Sequence, residues 1–560
     1  MRLTKAMRWA AVAATAALAV TACSNSGSSD FGSKSPSQSS QGAGGPAKDG
    51  GTFKLGISEP TAIDPYNAQE SEGILVTHNL FTGLIDVKAD GTVVPKLALS
   101  RTPNSDCSEW TFKLKTGTTF TNGEPVDAEA FIRGWTRTAS KASASDVAYH
   151  MAEIDGFDDL QSGKATTFKG LSAPSADTLV VKLAQKDCEF DLRTFHTAFS
   201  PVPKVAGAAD NKTYNDMPIG NGPFKMDGPW QHNTKITLVR NADYGLDKAH
   251  LDKVEISILN ADNGVTLEYQ GYQAGQFDWA RMPVPQYSAA KAMYEPKGQW
   301  LQWDSNGMNY ILPMTKKGPL TSKEARLAIS YAIDRKAITA GVFKGFFTAA
   351  DSLVPPAFPS AYQKGVCASC VAQDKAKAKE LADKAGLKPG TELYFGYNTG
   401  AGHEEWVQAV AGQLKDVLGL KVKLDGIPFK ELLDKETSPD STGIYRAAWG
   451  ADYPTPGNFL TPLLSTSSIN ENPDSHVVQG DNRGRWSNPE FDKLTSQAAS
   501  TQDQGERYKL YQQAEKVAMD DQALIPLWNR TQLRLANTSK WNNLTYDFNE
   551  NPTLSAVSAK

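Results

Sequence analysis

Apolar positions along the chain fall into three regimes. An apolar run, Trp9 to Val20, follows a start carrying Arg2, Lys5 and Arg8. It has the length of a signal peptide and is too short to span a bilayer as a helix. Residues 24–48 then carry almost no apolar side chains and are rich in serine and glycine. Such a segment cannot bury enough surface to offset its chain entropy, and is expected to act as a coil reaching roughly 25–30 Å. From residue 49 onward apolar residues recur in short periodic blocks. Thr52–Ile57, Trp110–Leu114, Thr178–Leu183 and Lys235–Val239 read as strands. Helical spacing places Phe131, Ile132 and Trp135 on one face of a helix over 128–140, opened by Asp127 as N-cap. Thr321-Ser-Lys-Glu324 is a capping-box sequence that predicts a single helix to about Phe343. A further helix spans about 404–418, with Trp406, Val410, Leu414 and Val417 as its stripe and Gly419 as its stop. Another covers 506–520, using Leu510, Ala514 and Val517. Strands and helices alternate without a fixed repeat, so the class is mixed α/β.

The residues that end the first apolar run change where this body is expected to work. Val20-Thr-Ala-Cys23 resembles the lipobox of bacterial lipoproteins, in which the cysteine is acylated and becomes the first residue of the mature chain. Residues 1–22 are then a signal peptide, 23–48 a disordered tether, and the protein is lipid-anchored on the outer face of the cytoplasmic membrane. Formal charge is −4, and −7 once Arg2, Lys5 and Arg8 leave with the signal. Without a basic block, nucleic acid is not an expected partner. With Cys23 lipidated, Cys107, Cys188, Cys367 and Cys370 form an even set in an oxidising compartment. Four cysteines allow three pairings. Cys107–Cys188 with Cys367–Cys370 is favoured, because antiparallel pairing of the Trp110 and Thr178 strands would bring the first two sulfurs together. Cys367-Ala-Ser-Cys370 lacks the second ligand pair a zinc site needs.

Catalytic signatures are missing. There is no Gly-x-Ser-x-Gly elbow and no P-loop, and Ile219-Gly-Asn-Gly-Pro-Phe224 reads as a structural turn because no Lys-Ser/Thr follows. His403-Glu404-Glu405 starts like a zinc-protease motif, but Val407 stands where the second histidine belongs. No metal, cofactor or enzymatic activity is expected.

Several stretches taken together carry a resemblance. They are Trp110–Leu114 with Phe120-Thr-Asn-Gly-Glu-Pro-Val-Asp-Ala128 and Phe131-Ile-Arg-Gly-Trp135, then Pro218-Ile-Gly-Asn-Gly-Pro-Phe-Lys225 with Leu238-Val-Arg-Asn241. Arg326-Leu-Ala-Ile-Ser-Tyr-Ala-Ile-Asp-Arg335 and Trp449-Gly-Ala-Asp-Tyr-Pro-Thr-Pro456 with Asn458-Phe-Leu460 complete the set. In this order they resemble extracellular solute-binding family 5, the oligopeptide- and dipeptide-binding lipoproteins of ABC importers. The resemblance implies a two-lobed periplasmic-binding-protein-like fold, type II in its large three-domain variant, with a hinged cleft. Lobe I would comprise 49–79, 205–306 and 522–560, with an extra domain at 80–204 and lobe II at 307–521. It further implies a monomer that captures peptides and passes them to permease subunits served by cytoplasmic ATPases. Nickel chelates, glutathione, sugars or antibiotics are the alternative cargo within the same fold, and an extracellular hydrolase is a distant one.

By the same likeness Asp452 holds a peptide's α-ammonium, although its place before Tyr453-Pro454 also suits a turn aspartate. Ala448 and Gly450 would offer main-chain hydrogen bonds in strand-addition fashion, and Trp449 would wall a side-chain pocket or serve as core. Arg446 and His403 match carboxylate-side positions; on their own they read as a surface arginine and a polar helix-start histidine. Glu59 matches a cleft-facing position. Thr455 departs from the family's pattern, where many relatives carry an acid. The anchor is testable directly: Cys23→Ser should release the protein or leave it unprocessed, because the acyl chains supply the membrane affinity. Equal retention of the mutant in the membrane fraction would refute the lipid anchor.

Overall fold

The computed structural model describes residues 47–259, 263–399 and 401–560. Cys23, the expected signal peptide and all but Ala47 and Lys48 of the expected tether lie outside the described residues. No helix among the described residues is long and apolar enough to cross a membrane.

One 11-stranded mixed sheet runs through the body. From one edge its strands are Lys421–Ile427, Glu392–Asn398, Ile444–Gly450, Trp300–Pro313, Ile525–Ala536, Trp279–Ala280, Thr52–Ser58, Lys253–Leu259, Lys235–Arg240 and Phe224–Met226. Thr348–Ala349 pairs with Ile525–Ala536 outside that order. The two longest strands, Trp300–Pro313 and Ile525–Ala536, lie antiparallel at the middle. Their register slips between Asp304 and Met308, a bulge that bends the ladder where the two halves of the sheet meet. On one side Phe53, Leu55, Ile236, Val254 and Trp541 share a core. On the other Ile311, Ile329, Phe395, Trp406 and Trp528 share another.

A separate four-stranded antiparallel sheet, Ala98–Pro103, Glu109–Leu114, Thr178–Lys182 and Leu171–Ser175 in chain order 1-2-4-3, carries the helix Ala128–Ala139. Asp127 caps that helix by accepting from the Ala130 amide, and Phe131 and Trp135 are fully buried beneath it. Glu109 pairs with Lys182 and Trp110 with Val181, which sets Cys107 and Cys188 just beyond one end of the ladder. Those two cysteines are bonded across 81 residues, and Cys367 is bonded to Cys370. The glycine-proline turn is structural. A Cβ on Gly220 would fall 1.9 Å from the Leu80 carbonyl oxygen, and Asn221 exchanges hydrogen bonds with the Thr82 backbone.

Two helix expectations need correction. The helix expected to run from Thr321 to about Phe343 is two, Lys323–Ala332 and Arg335–Gly341, and the N-cap of the first is Ser322. Ile333 is extended between them. Asp334 caps the second helix, while Arg335 is buried and donates to the Pro526 and Ser330 carbonyls. Arg335 thus ties the last turn of the first helix to the Ile525–Ala536 strand. The later helix starts at Gln504, and its buried face is rotated onto Tyr511, Ala514, Glu515 and Ala518, leaving Leu510 and Val517 half-buried. Glu515 is buried because it accepts from the Leu353 and Val354 amides.

Replacing Cys107 and Cys188 together by alanine should cost about 2–5 kcal/mol, the usual range for a native bridge, and lower the unfolding midpoint. Peptide mapping of unreduced protein should recover Cys107 linked to Cys188. A link from Cys107 to Cys367 or Cys370 would overturn that pairing.

Candidate functional site

The strand Ile444–Gly450 positions most of the candidate residues. On one side it pairs with Trp300–Pro313 along its whole length, from Pro313–Ile444 to Gly307–Gly450. On the other it pairs with Glu392–Asn398 only at Ile444 and Tyr445. From Arg446 to Gly450 that second edge has no strand neighbour among the described residues. Its backbone donors and acceptors are therefore open to an added extended chain. A cavity of about 140 Å³ lies beside it, walled by Tyr310, Leu312, Phe429 and Trp449, with Glu436 and Arg483 also lining it.

Asp452 lies two residues beyond the strand. Asn458, itself buried, accepts from the Asp452 amide at 2.9 Å and from Trp449 Nε1 at 3.3 Å, and donates to Asp452 Oδ2 at 3.1 Å. One amide thus fixes both the carboxylate and the indole. Burial pushes the Asp452 carboxyl up to about 7; the Asn458 hydrogen bond and Arg193 oppose this, and the neighbouring charge of Asp481 adds to it. No cation pairs with Asp452 among the described residues. Arg193 is committed to Glu153 and Asp187, and lies 4.9 Å from the centre of the Tyr453 ring. Asp481 accepts from Arg483, which also donates to the buried Glu436.

Arg446 and His403 are the positive and neutral donors of the same region. Arg446 forms no ion pair among the described residues, and its Nε is buried without a partner. Burial lowers its pKa, and the charge of Arg530 adds to the effect. His403 Nδ1 accepts from Trp406 Nε1 at 3.1 Å. An indole can only donate, so the ring proton of neutral His403 stands on Nε2, a buried atom without a partner. Burial, helped by Arg446, holds His403 down at about 3, so it remains an uncharged donor at neutral pH. Glu59 is engaged elsewhere: it lies 2.9 Å from His232 Nδ1 and accepts from the Asn233 amide. No hydrogen bond or ion pair ties it to the Arg446–Asp452 segment among the described residues.

Thr455 has a physical reason for not being an acid. Its hydroxyl donates at 2.7 Å to Glu189, which also accepts from Tyr511 and pairs with Arg507. A carboxylate at 455 would face another one. Sequence reasoning passed over Glu189, Arg193, Asp481 and Arg483, which carry no local motif. Asn458 stood among the quoted motif residues without a role. No cluster of metal-ligating side chains occurs among the described residues.

Comparison with known proteins places this geometry in a family. The model of "Bacterial extracellular solute-binding proteins, family 5 Middle" matches residues 92–471. The oligopeptide-binding protein OppA of Bacillus subtilis is 29% identical over 85% of this chain and 87% of its own. The periplasmic murein peptide-binding protein MppA of Escherichia coli is 30% identical, with the same shares covered. A solved structure of the Escherichia coli murein tripeptide binding protein MppA superposes with a TM-score of 0.73 at 28% identity, covering 91% of this chain and 98% of that one. This chain belongs to the bacterial extracellular solute-binding proteins of family 5, and its α/β body has their two-lobed periplasmic-binding-protein-like fold. It is a solute-binding protein whose relatives are binding proteins and not enzymes.

The Thr455 contact can be tested alone. Thr455→Asp should destabilise the fold by on the order of 3 kcal/mol, the scale for an uncompensated buried charge. Thr455→Ser, which keeps the donor, should melt close to the parent in a thermal scan.

Proposed function

We propose that this protein is the lipid-anchored, extracellular substrate-binding component of an ABC importer, capturing oligopeptides in a closing cleft and delivering them to the permease. The observation that carries the reading is a desolvated Asp452 carboxylate with no counter-ion, set at the end of a strand whose edge is open. A bound peptide's α-ammonium would complete that ion pair, and its main chain would add to the Arg446–Gly450 edge irrespective of side chains. Arg446 and the Nε2–H of His403 would take the carboxylate end, Ala448 and Gly450 the main chain, and Trp449 a side chain. Glu59 is left with a weaker claim, since His232 already engages it. The relatives named for oligopeptides and murein peptides support this cargo.

The division into lobe I, an extra domain at 80–204 and lobe II is proposed with it, and the separate apolar cores on either side of the central strands support it. A hinge at the bulged central strands would let the lobes close on the ligand. The Val20–Cys23 signal supports lipid anchoring on the outer face of the membrane. The protein would act as a monomer, without metal or cofactor.

Two measurements test the amino-end reading. Asp452→Ala should weaken peptide binding by about 2–5 kcal/mol, N-acetylation of the peptide should cost the wild type a similar amount, and the two should not add. Equal binding of acetylated and free peptide by the wild type would reduce Asp452 to a turn residue and shift the cargo toward a non-peptide one.

The pH dependence follows from the raised pKa. With the free carboxyl titrating at about 7, ligand-free Asp452 is protonated below that pH and must ionise to hold an ammonium. The peptide's own amine loses its charge above about 8. Binding should therefore be strongest between these limits and weaken toward acid. Calorimetry at pH 6 in buffers of different ionisation enthalpy should show a proton released on binding, absent in Asp452→Asn.

A further inference from the structure

Two arginines beside the Gly307–Gly450 pair lack a carboxylate partner among the described residues, and the reading above uses one of them, Arg446. The other, Arg530, lies on the strand Ile525–Ala536 opposite the bulge at residues 305–307. A Cβ on Gly307 would come 3.2 Å from Arg530 Cδ and 3.0 Å from the Trp449 carbonyl oxygen. The stem of Arg530 therefore crosses the sheet where Gly307 pairs with Gly450. A Cβ on Gly450 would meet only Asn306 Oδ1, at 4.0 Å. Residues two apart along a strand, and their directly paired partners, share a face. Gly450 with Gly307, Ala448 with Asn309 and Arg446 with Ile311 thus form one face. Arg446 and Arg530 stand on it with the small residues Gly307, Gly450 and Ala448 between them.

The two guanidiniums feel each other's charge, and Arg530 makes Arg446 easier to deprotonate. Neither is ion-paired with a carboxylate among the described residues. The acids nearby are spoken for: Glu436 and Asp481 both accept from Arg483. Further along Ile525–Ala536, Arg534 also lacks an ion-paired carboxylate, but the charge of Glu550, whose Oε1 is buried without a partner, acts on it. Beyond those two, the groups around the Arg446–Asp452 segment that lack an opposite charge are one carboxylate, Asp452, and two guanidiniums. A zwitterionic peptide with neutral side chains would satisfy Asp452 and one arginine and leave the second uncompensated as the lobes exclude water.

We infer that Arg446 and Arg530 form a two-arginine subsite for a second carboxylate, so that the cleft selects peptides carrying an aspartyl or glutamyl side chain in addition to the α-carboxylate. This rests on the peptide reading proposed above and adds a charge requirement to it. Guanidinium forks suit the task because each can hold a carboxylate through two parallel hydrogen bonds. The uncharged Nε2–H of His403 supplies a further donor without adding charge.

Calorimetry on protein stripped of bound ligand, with Ala-Ala-Ala, Ala-Glu-Ala and Ala-Ala-Glu and the glutamine counterparts of the last two, tests the inference. At one position or the other, the glutamyl peptide should bind about tenfold or more tightly than its glutaminyl isostere. That ratio, taken within each protein, should collapse to near unity in Arg530→Gln and in Arg530→Met, either of which suffices if the other fails to fold. Equal binding of glutamyl and glutaminyl peptides by the wild type at both positions, or a ratio that survives loss of the Arg530 charge, would overturn the subsite. If Ala-Ala-Ala binds and no glutamyl preference appears, only the subsite falls. If no peptide binds, the peptide reading falls with it.

Discussion

A carboxylate taken out of water without a counter-ion is among the costlier things a fold can contain, and Asp452 is such a group. It can be held there because Asn458 grips it from two directions, donating to its side chain and accepting from its amide. The same amide accepts from the Trp449 indole, so the cavity wall and the charged group move as one unit. Asn458 is buried at the start of the Gly457–Leu464 helix, whose Phe459 and Leu460 enter two different cores. The placement of the site therefore depends on helix packing behind the strand and not on the loop that carries Asp452.

The polar groups around this point divide into those already paired and those left open. Glu189, Arg507, Thr455 and Tyr511 satisfy one another where residues 80–204 meet the later part of the chain. Arg193 is held by Glu153 and Asp187. By contrast Asp452 has no cation, and Arg446 Nε and His403 Nε2 have no hydrogen-bond partner, among the described residues. Buried polar groups in native proteins nearly always have partners, so two unpartnered donors and a carboxylate without a cation, gathered around one open strand edge, are informative. The open set carries both signs, as a zwitterionic guest requires.

How much of this could be read from the chain depends on the range of the interaction. The strands at Thr52–Ser58 and Lys235–Arg240, and the Asp127 and Gly419 helix ends, are local chemistry and were legible to within a residue or two. The break at Ile333 was not: Asp334, the cap of the second helix, lies inside a continuous helical pattern, and the contact that holds Arg335 there comes from Pro526, nearly two hundred residues away. The rotated face of the last long helix has a similar cause in the amides of Leu353 and Val354. At the site, Asp452, Trp449 and Arg446 lie within one short segment and could be proposed from the family's pattern. Asp481, Arg483 and Arg530 could not, since nothing in their own neighbourhoods distinguishes them from surface charges. Only the fold shows that Arg483 has two acids and Arg530 has none.

The strand order has a consequence for how such a chain acquires its shape. Thr52–Ser58, the first strand of the body, pairs in parallel with Lys253–Leu259, and its sheet is joined to the other half only through Ile525–Ala536. Neither of these later strands exists when the first one has just been synthesised. Pairings of such long sequence separation pay their loop-closure entropy before any contact rewards them, which makes them slow and leaves apolar strands exposed meanwhile. The first strand of the body must therefore wait, unpaired, until the chain has been made as far as Leu259, and the two halves of its sheet stay apart until Ile525–Ala536 follows.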